Sequence, residues 1–138
     1  MFNTSILRAK IKRSNINFKN TFLFDRPNDI PDGIEKSPTI TLEEGEEIII
    51  SYIKSENYKW TLTNHKIYFF DGMDSILLTD LVKVDVENIK ANPDSKTTNT
   101  ELTLFTNKET RKIFVEEGTW HLFYNVFKFI IDNNKVNK

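Results

Sequence analysis

The sequence predicts a small, mainly β domain of the β-barrel or α+β kind, with seven antiparallel strands capped by one C-terminal helix and preceded by an N-terminal extension. Three observations lead there. From Ile48 onward, short apolar runs recur roughly every nine residues between turn-forming residues, the pattern of an all-β sandwich or barrel. Near Thr119 the apolar spacing changes to the helical period. A chain of 138 residues with 11 Phe, 4 Tyr and 2 Trp is large enough for one core and too small for two.

Residues 1–39 read as an arm and a linker, residues 40–133 as the domain and residues 134–138 as a polar tail. Within residues 1–26, Arg8, Lys10, Lys12, Arg13, Lys19 and Arg26 stand against Asp25 alone, a net charge of +5, whereas the rest of the chain carries −6. That imbalance predicts an arm folded back onto an acidic body, or an arm that meets an anionic surface. Phe18, Phe22, Leu23 and Phe24 follow the charges and require burial, which favours the fold-back. Ser5 to Arg13 suit a short helix with Ile6, Leu7 and Ile11 inward. Pro27, Pro31, Pro38 and Gly33 exclude a continuous helix or central strand over 27–44.

Strands are expected to start near 48, 57, 66, 75, 81, 101 and 110. Tyr58, Trp60 and Leu62 alternate with Lys59, Thr61 and Thr63, predicting one core face and one wet face. Val82, Val84 and Val86 alternate with Lys83, Asp85 and Glu87 in the same way. Leu102 and Leu104, then Ile113 and Val115, mark two more half-buried strands. Ser55-Glu56-Asn57, Asn64-His65, Asp71-Gly72 and Asn107-Lys108 suit the tight turns between them. Residues 88–100 show no periodicity and read as a long polar loop.

In the closing helix, Thr119 is placed to cap the first turn, and His121, Asn125, Lys128 and Asp132 fall on one narrow polar stripe. Trp120, Phe123, Phe127, Ile130 and Ile131 are expected to plug the strand array. Leu122, Val126 and Phe129 form a surplus apolar flank, to be covered by the N-terminal aromatics, by a second copy or by a partner.

The composition excludes several chemistries. No cysteine is present, which removes disulfides, thiolate metal sites and a cysteine nucleophile and fits a reducing, cytoplasmic setting. Neither a membrane span nor a secretory signal is expected. His65 in a turn and His121 on the helix read as solvated side chains, and Glu43, Glu44, Glu46 and Glu47 as a solvated charge run, so no metal site is assigned. No Gly-rich phosphate loop or zinc-type His pair occurs, and no cofactor, catalytic residue or small-molecule substrate is expected.

Seven strands followed by one closing helix, together with Leu42, Gly45-Glu46, Ile48-Ile49-Ile50, Trp60-Thr61-Leu62-Thr63-Asn64, Lys66-Ile67-Tyr68-Phe69 and Ile76 to Leu81, resemble the pleckstrin-homology-like barrels, notably their GRAM and bacterial branch. The likeness spans residues 40–133. It implies a non-enzymatic interaction module. Phosphoinositide-binding relatives carry a basic cluster around the first hairpin, where this chain offers Lys54 and Lys59 with Thr61 in the arginine position, so high-affinity phosphoinositide recognition is not expected. The leading expectation is a protein-protein adaptor or a self-associating module, with Leu122, Val126, Phe129, Phe18 and Phe22 as its interaction surface. The alternative is a peripheral membrane or lipid-binding module in which Arg8, Lys10, Lys12, Arg13 and Lys19 make weak contact with anionic lipid. A small enzyme is a third reading, and nucleic-acid binding is disfavoured because the strand array is net acidic.

Overall fold

The computed structural model describes residues 2–24, 40–55, 58–69, 74–94 and 98–136, excepting the side chains of residues 88 and 136. The Pro-containing stretch 27–39 and the Asp71-Gly72 turn lie outside the described residues. The chain is mainly β. Helix α1 (Thr4–Arg13) leads into β1 (Thr21–Leu23), β2 (Ile48–Ser55), β3 (Tyr58–Thr63), β4 (Lys66–Phe69) and β5 (Asp74–Leu77), which form one antiparallel sheet in that order. Strands β6 (Leu81–Asp85), β7 (Glu101–Thr106) and β8 (Thr110–Phe114) form a second, and α3 (Trp120–Val136) closes the fold.

Among the described residues there are eight strands instead of seven, because Thr21–Leu23 adds to the β2 edge, with Phe22 opposite Ser51 and the Phe24 N–H continuing the pairing onto the Ile49 carbonyl at 2.8 Å. The sheets also do not close into a barrel: among the described residues no backbone ladder joins them. A single 3-10 turn, Leu78–Asp80, separates β5 from β6. On the opposite side, side chains do the joining. The Trp60 indole donates to the Phe114 carbonyl at 2.7 Å, and the Phe114 N–H donates to the Tyr58 hydroxyl at 2.9 Å. The Glu116 carboxylate accepts from the Lys19 and Asn20 N–H groups at 2.7 and 2.6 Å and from the Thr21 hydroxyl at 3.0 Å. These bonds satisfy polar groups that a ladder would otherwise occupy.

The core lies between the sheets and α3. Phe123, Phe127, Ile130 and Ile131 are buried, and the Trp60 and Phe123 rings meet edge to face at 5.2 Å. Trp120 is half-buried and packs against the rim of this core. The surplus flank is covered from within the chain: Leu122 and Val126 are 7% and 1% exposed, and the Phe2 ring meets Phe129 edge-on at 6.2 Å. The Thr119 hydroxyl donates to the Glu116 carbonyl at 2.6 Å, and its own carbonyl accepts from the Phe123 N–H at 3.2 Å.

Helix α1 forms because Asn3 caps it, its side-chain oxygen accepting from the Ser5 and Ile6 N–H groups at 2.9 and 3.2 Å. It ends at Ser14 and Asn15, the latter in the left-handed region at φ 57°. Leu7, Arg8 and Ile11 face inward, whereas Ile6, expected inside, is 49% exposed. Positions 7, 8 and 11 share one face of the helix and 6, 10 and 13 another, so burying Leu7 and Ile11 turns Ile6 out.

Alternation fails where the predicted wet face is covered. Thr61 and Thr63 of β3 are buried, the first sharing a hydrogen bond with Ser51 at 2.9 Å and the second donating to Glu46 at 2.6 Å. In β6 a register shift between Leu81 and Lys83 turns Leu81 inward and leaves Val82 37% exposed. Residues 88–100 are not wholly a loop, since Glu87–Ala91 forms a short helix, α2.

Candidate functional site

The outward stripe of α1 and the polar stripe of α3 face each other across a groove of about 600 Å³. Lys10, Arg13 and Ser14 form the α1 wall, and His121, Asn125, Lys128 and Asp132 form the α3 wall. Half-buried Phe129 is the open part of the floor, with Leu122 and Val126 almost wholly covered beneath it. Lys10 bends over the floor, its Nζ 5.5 Å from the Phe129 ring centroid. Ile6 lies one turn before Lys10 on the same stripe of α1. With Lys10, Arg13 and Lys128 against Asp132 alone, the groove favours an anionic occupant.

Two sets of residues expected separately therefore meet at one place: Lys10 and Arg13 from the anionic-surface set, and Leu122, Val126 and Phe129 from the apolar flank. Other members of those sets lie elsewhere. Lys12 is exposed on α1 and Lys19 follows it, its N–H held by Glu116. Phe18 packs half-buried against the core, and Phe22 is half-buried in β1.

Arg8 cannot contact lipid. It is 7% exposed; its Nε donates to the Phe24 carbonyl at 2.8 Å, one terminal nitrogen to the Ile48 carbonyl at 2.8 Å and the other to Glu47 Oε1 at 2.7 Å. The guanidinium fork thus ties α1 to β1 and β2. Burial pushes the Glu47 carboxyl up, but hydrogen bonds from Arg8 and Thr4 and the Arg8 charge outweigh it and hold the group below its ordinary value.

The acidic run is not a solvated face throughout, since Glu46 is buried. Ligand-type atoms of Glu43, Glu46 and His65 lie within 4.8 Å of one another, but the carboxylates already have partners. Glu46 accepts from the Thr63 hydroxyl at 2.6 Å, the Tyr68 hydroxyl at 2.9 Å and the Glu43 N–H at 2.9 Å, while Glu43 pairs with Lys66 at 2.8 Å. The hydrogen bond and charge of Lys66 lower Glu43, and burial followed by the bond to Glu46 raises Tyr68. This network braces the β2–β3–β4 end of the sheet. Sequence reasoning missed it because a buried Glu and an exposed Glu are identical in an acidic run.

A second concavity, about 530 Å³, runs beside β5 past the β7–β8 turn. Lys66 and Lys108 balance Asp80 and Glu109 there, so it selects no sign of charge. Lys54, one of the two first-hairpin lysines, lies over the Phe114 ring at 4.4 Å. Among the described residues, no helix is long and apolar enough to cross a membrane. Compared with family models, curated proteins and solved structures, the chain matches none of them.

Proposed function

We propose that the protein is a non-enzymatic interaction module, pleckstrin-homology-like in its order of strands and closing helix, that holds an acidic segment of a protein partner between α1 and α3. The observation that carries this reading is the groove itself, where Lys10, Arg13 and Lys128 surround an apolar floor centred on Phe129. Its polar lining is three cations, the Asp132 carboxylate, the Asn125 amide, the His121 imidazole and the Ser14 hydroxyl, of which the cations, amide and imidazole can hold and orient an anion. Acyl or phosphoryl transfer needs a nucleophile hydrogen-bonded to a base, and Ser14, the hydroxyl in this lining, donates instead to the Ile11 carbonyl at 2.6 Å. A protruding peptide fits a concave site better than a flat bilayer does.

The test is a titration of isotope-labelled protein with a short oligoglutamate, followed by NMR. Shifts concentrated at Lys10, Arg13, His121 and Lys128 are expected; a silent groove would end this reading. Anionic vesicles run in parallel separate the protein partner from a membrane, because sedimentation with vesicles but no peptide shifts would favour the lipid alternative.

A further inference from the structure

We infer that the occupant of the α1–α3 groove is an acidic amphipathic α-helix of about three turns, an inference that rests on the interaction reading above. Both walls are helices. Along such walls the main-chain N–H and C=O groups are spent on each other, so an extended peptide laid there finds no backbone partners and buries unpaired polar groups. A helical segment brings its own backbone bonds already made and asks the walls only for side chains. At the end of α1, where carbonyls would otherwise be free, the Ser14 N–H and hydroxyl and the Asn15 N–H already donate to Ile11 and Lys12.

The side-chain spacing fits. On α3 the exposed wall residues His121, Asn125, Lys128 and Asp132 follow the i, i+4, i+7, i+11 row that a neighbouring helix packs against, with half-buried Phe129 beside them. From His121 to Asp132 the wall is about 17 Å long, close to three turns. A partner helix with one apolar row meets Phe129 and the exposed Ile6, and acidic residues flanking that row meet Lys10 and Arg13 on one side and Lys128 on the other. Asp132 sets the direction, since a cation on the partner is matched only at that end of the groove.

The test uses the full chain and two fluorescent 12-residue peptides of equal charge, measured by anisotropy. One is a Glu- and Leu-containing amphipathic helix; the other has two central residues replaced by proline. The helical peptide is expected to bind at least about tenfold tighter than the proline peptide, and a Lys10→Glu/Arg13→Glu/Lys128→Glu protein to lose at least about tenfold for it. These wall residues are at the surface, and unchanged circular dichroism of the triple variant confirms that it folds. Equal binding of the two peptides overturns the helical occupant and leaves the acidic-partner reading standing. No binding of either overturns both.

Discussion

Arg8 illustrates how one side chain can carry both the charge and the geometry of a junction. Its guanidinium meets the carbonyls of Phe24 and Ile48 and the carboxylate of Glu47, bringing α1, the end of β1 and the start of β2 to one point. Methionine at this position keeps much of the volume but none of the donors. Arg8→Met leaves two carbonyls and a partly buried carboxylate without their partner, and a loss of about 2–4 kcal/mol is expected in urea unfolding. A loss below about 1 kcal/mol would mean that water replaces the guanidinium and that the junction is held by Leu7 and Ile11 alone.

At the scale of elements, α1 acts as a cover for α3. Leu7 and Ile11 are buried, and truncating Leu7 to alanine is expected to cost about 3 kcal/mol through the cavity it leaves. Because α1 shares few contacts with the sheets beyond Arg8, that loss should appear first as local opening over Leu122, Val126 and Phe129. Leu7→Ala is thus expected to bind a hydrophobic dye under conditions where far-UV circular dichroism is still native; dye binding that rises only with global unfolding would contradict the cover. The strands from β2 to β8 were legible because turn residues punctuate their apolar runs. The three-residue β1 was not, since Thr21-Phe22-Leu23 is too short to show a period, and its pairing depends on Ser51 and Ile50 far along the chain. Barrel closure was not legible either, because it turns on whether Trp60 and Glu116 bridge the sheets or a ladder does. The groove was half legible. The helical wheel isolates the stripe His121, Asn125, Lys128 and Asp132, but nothing in one helix's periodicity says that Lys10 and Arg13 of another will stand across from it.

Across the whole molecule, the basic N-terminal segment folds onto an acidic body through the Arg8–Glu47 pair, and this pair together with shifted groups inside the body makes stability depend on pH from both sides. Glu47 is held low by Arg8 and Thr4 against the upward push of burial; Asp85 is held low by the hydrogen bond from Lys90, helped by the Val86 N–H and Lys83. Below the ordinary carboxylate value the unfolded chain binds more protons at these sites than the folded one. Their contribution is therefore complete above about pH 4 and is lost as pH falls through the lowered values. Tyr68 behaves in the opposite sense: burial, then its bond to Glu46, raises it, and burial also raises Tyr52 and Tyr58. The unfolded chain releases these protons first, so stability is complete below about pH 10 and falls above it. Urea midpoints between pH 2 and 11 should trace a plateau with two falling limbs. Arg8→Met should flatten the acid limb in part, because Glu47 then has no cation to lose while the share of Asp85 remains, and Tyr68→Phe should flatten the alkaline limb in part, leaving the share of Tyr52 and Tyr58. An alkaline limb unchanged in Tyr68→Phe would remove the Glu46–Tyr68 bond from the forces that hold the five-stranded sheet.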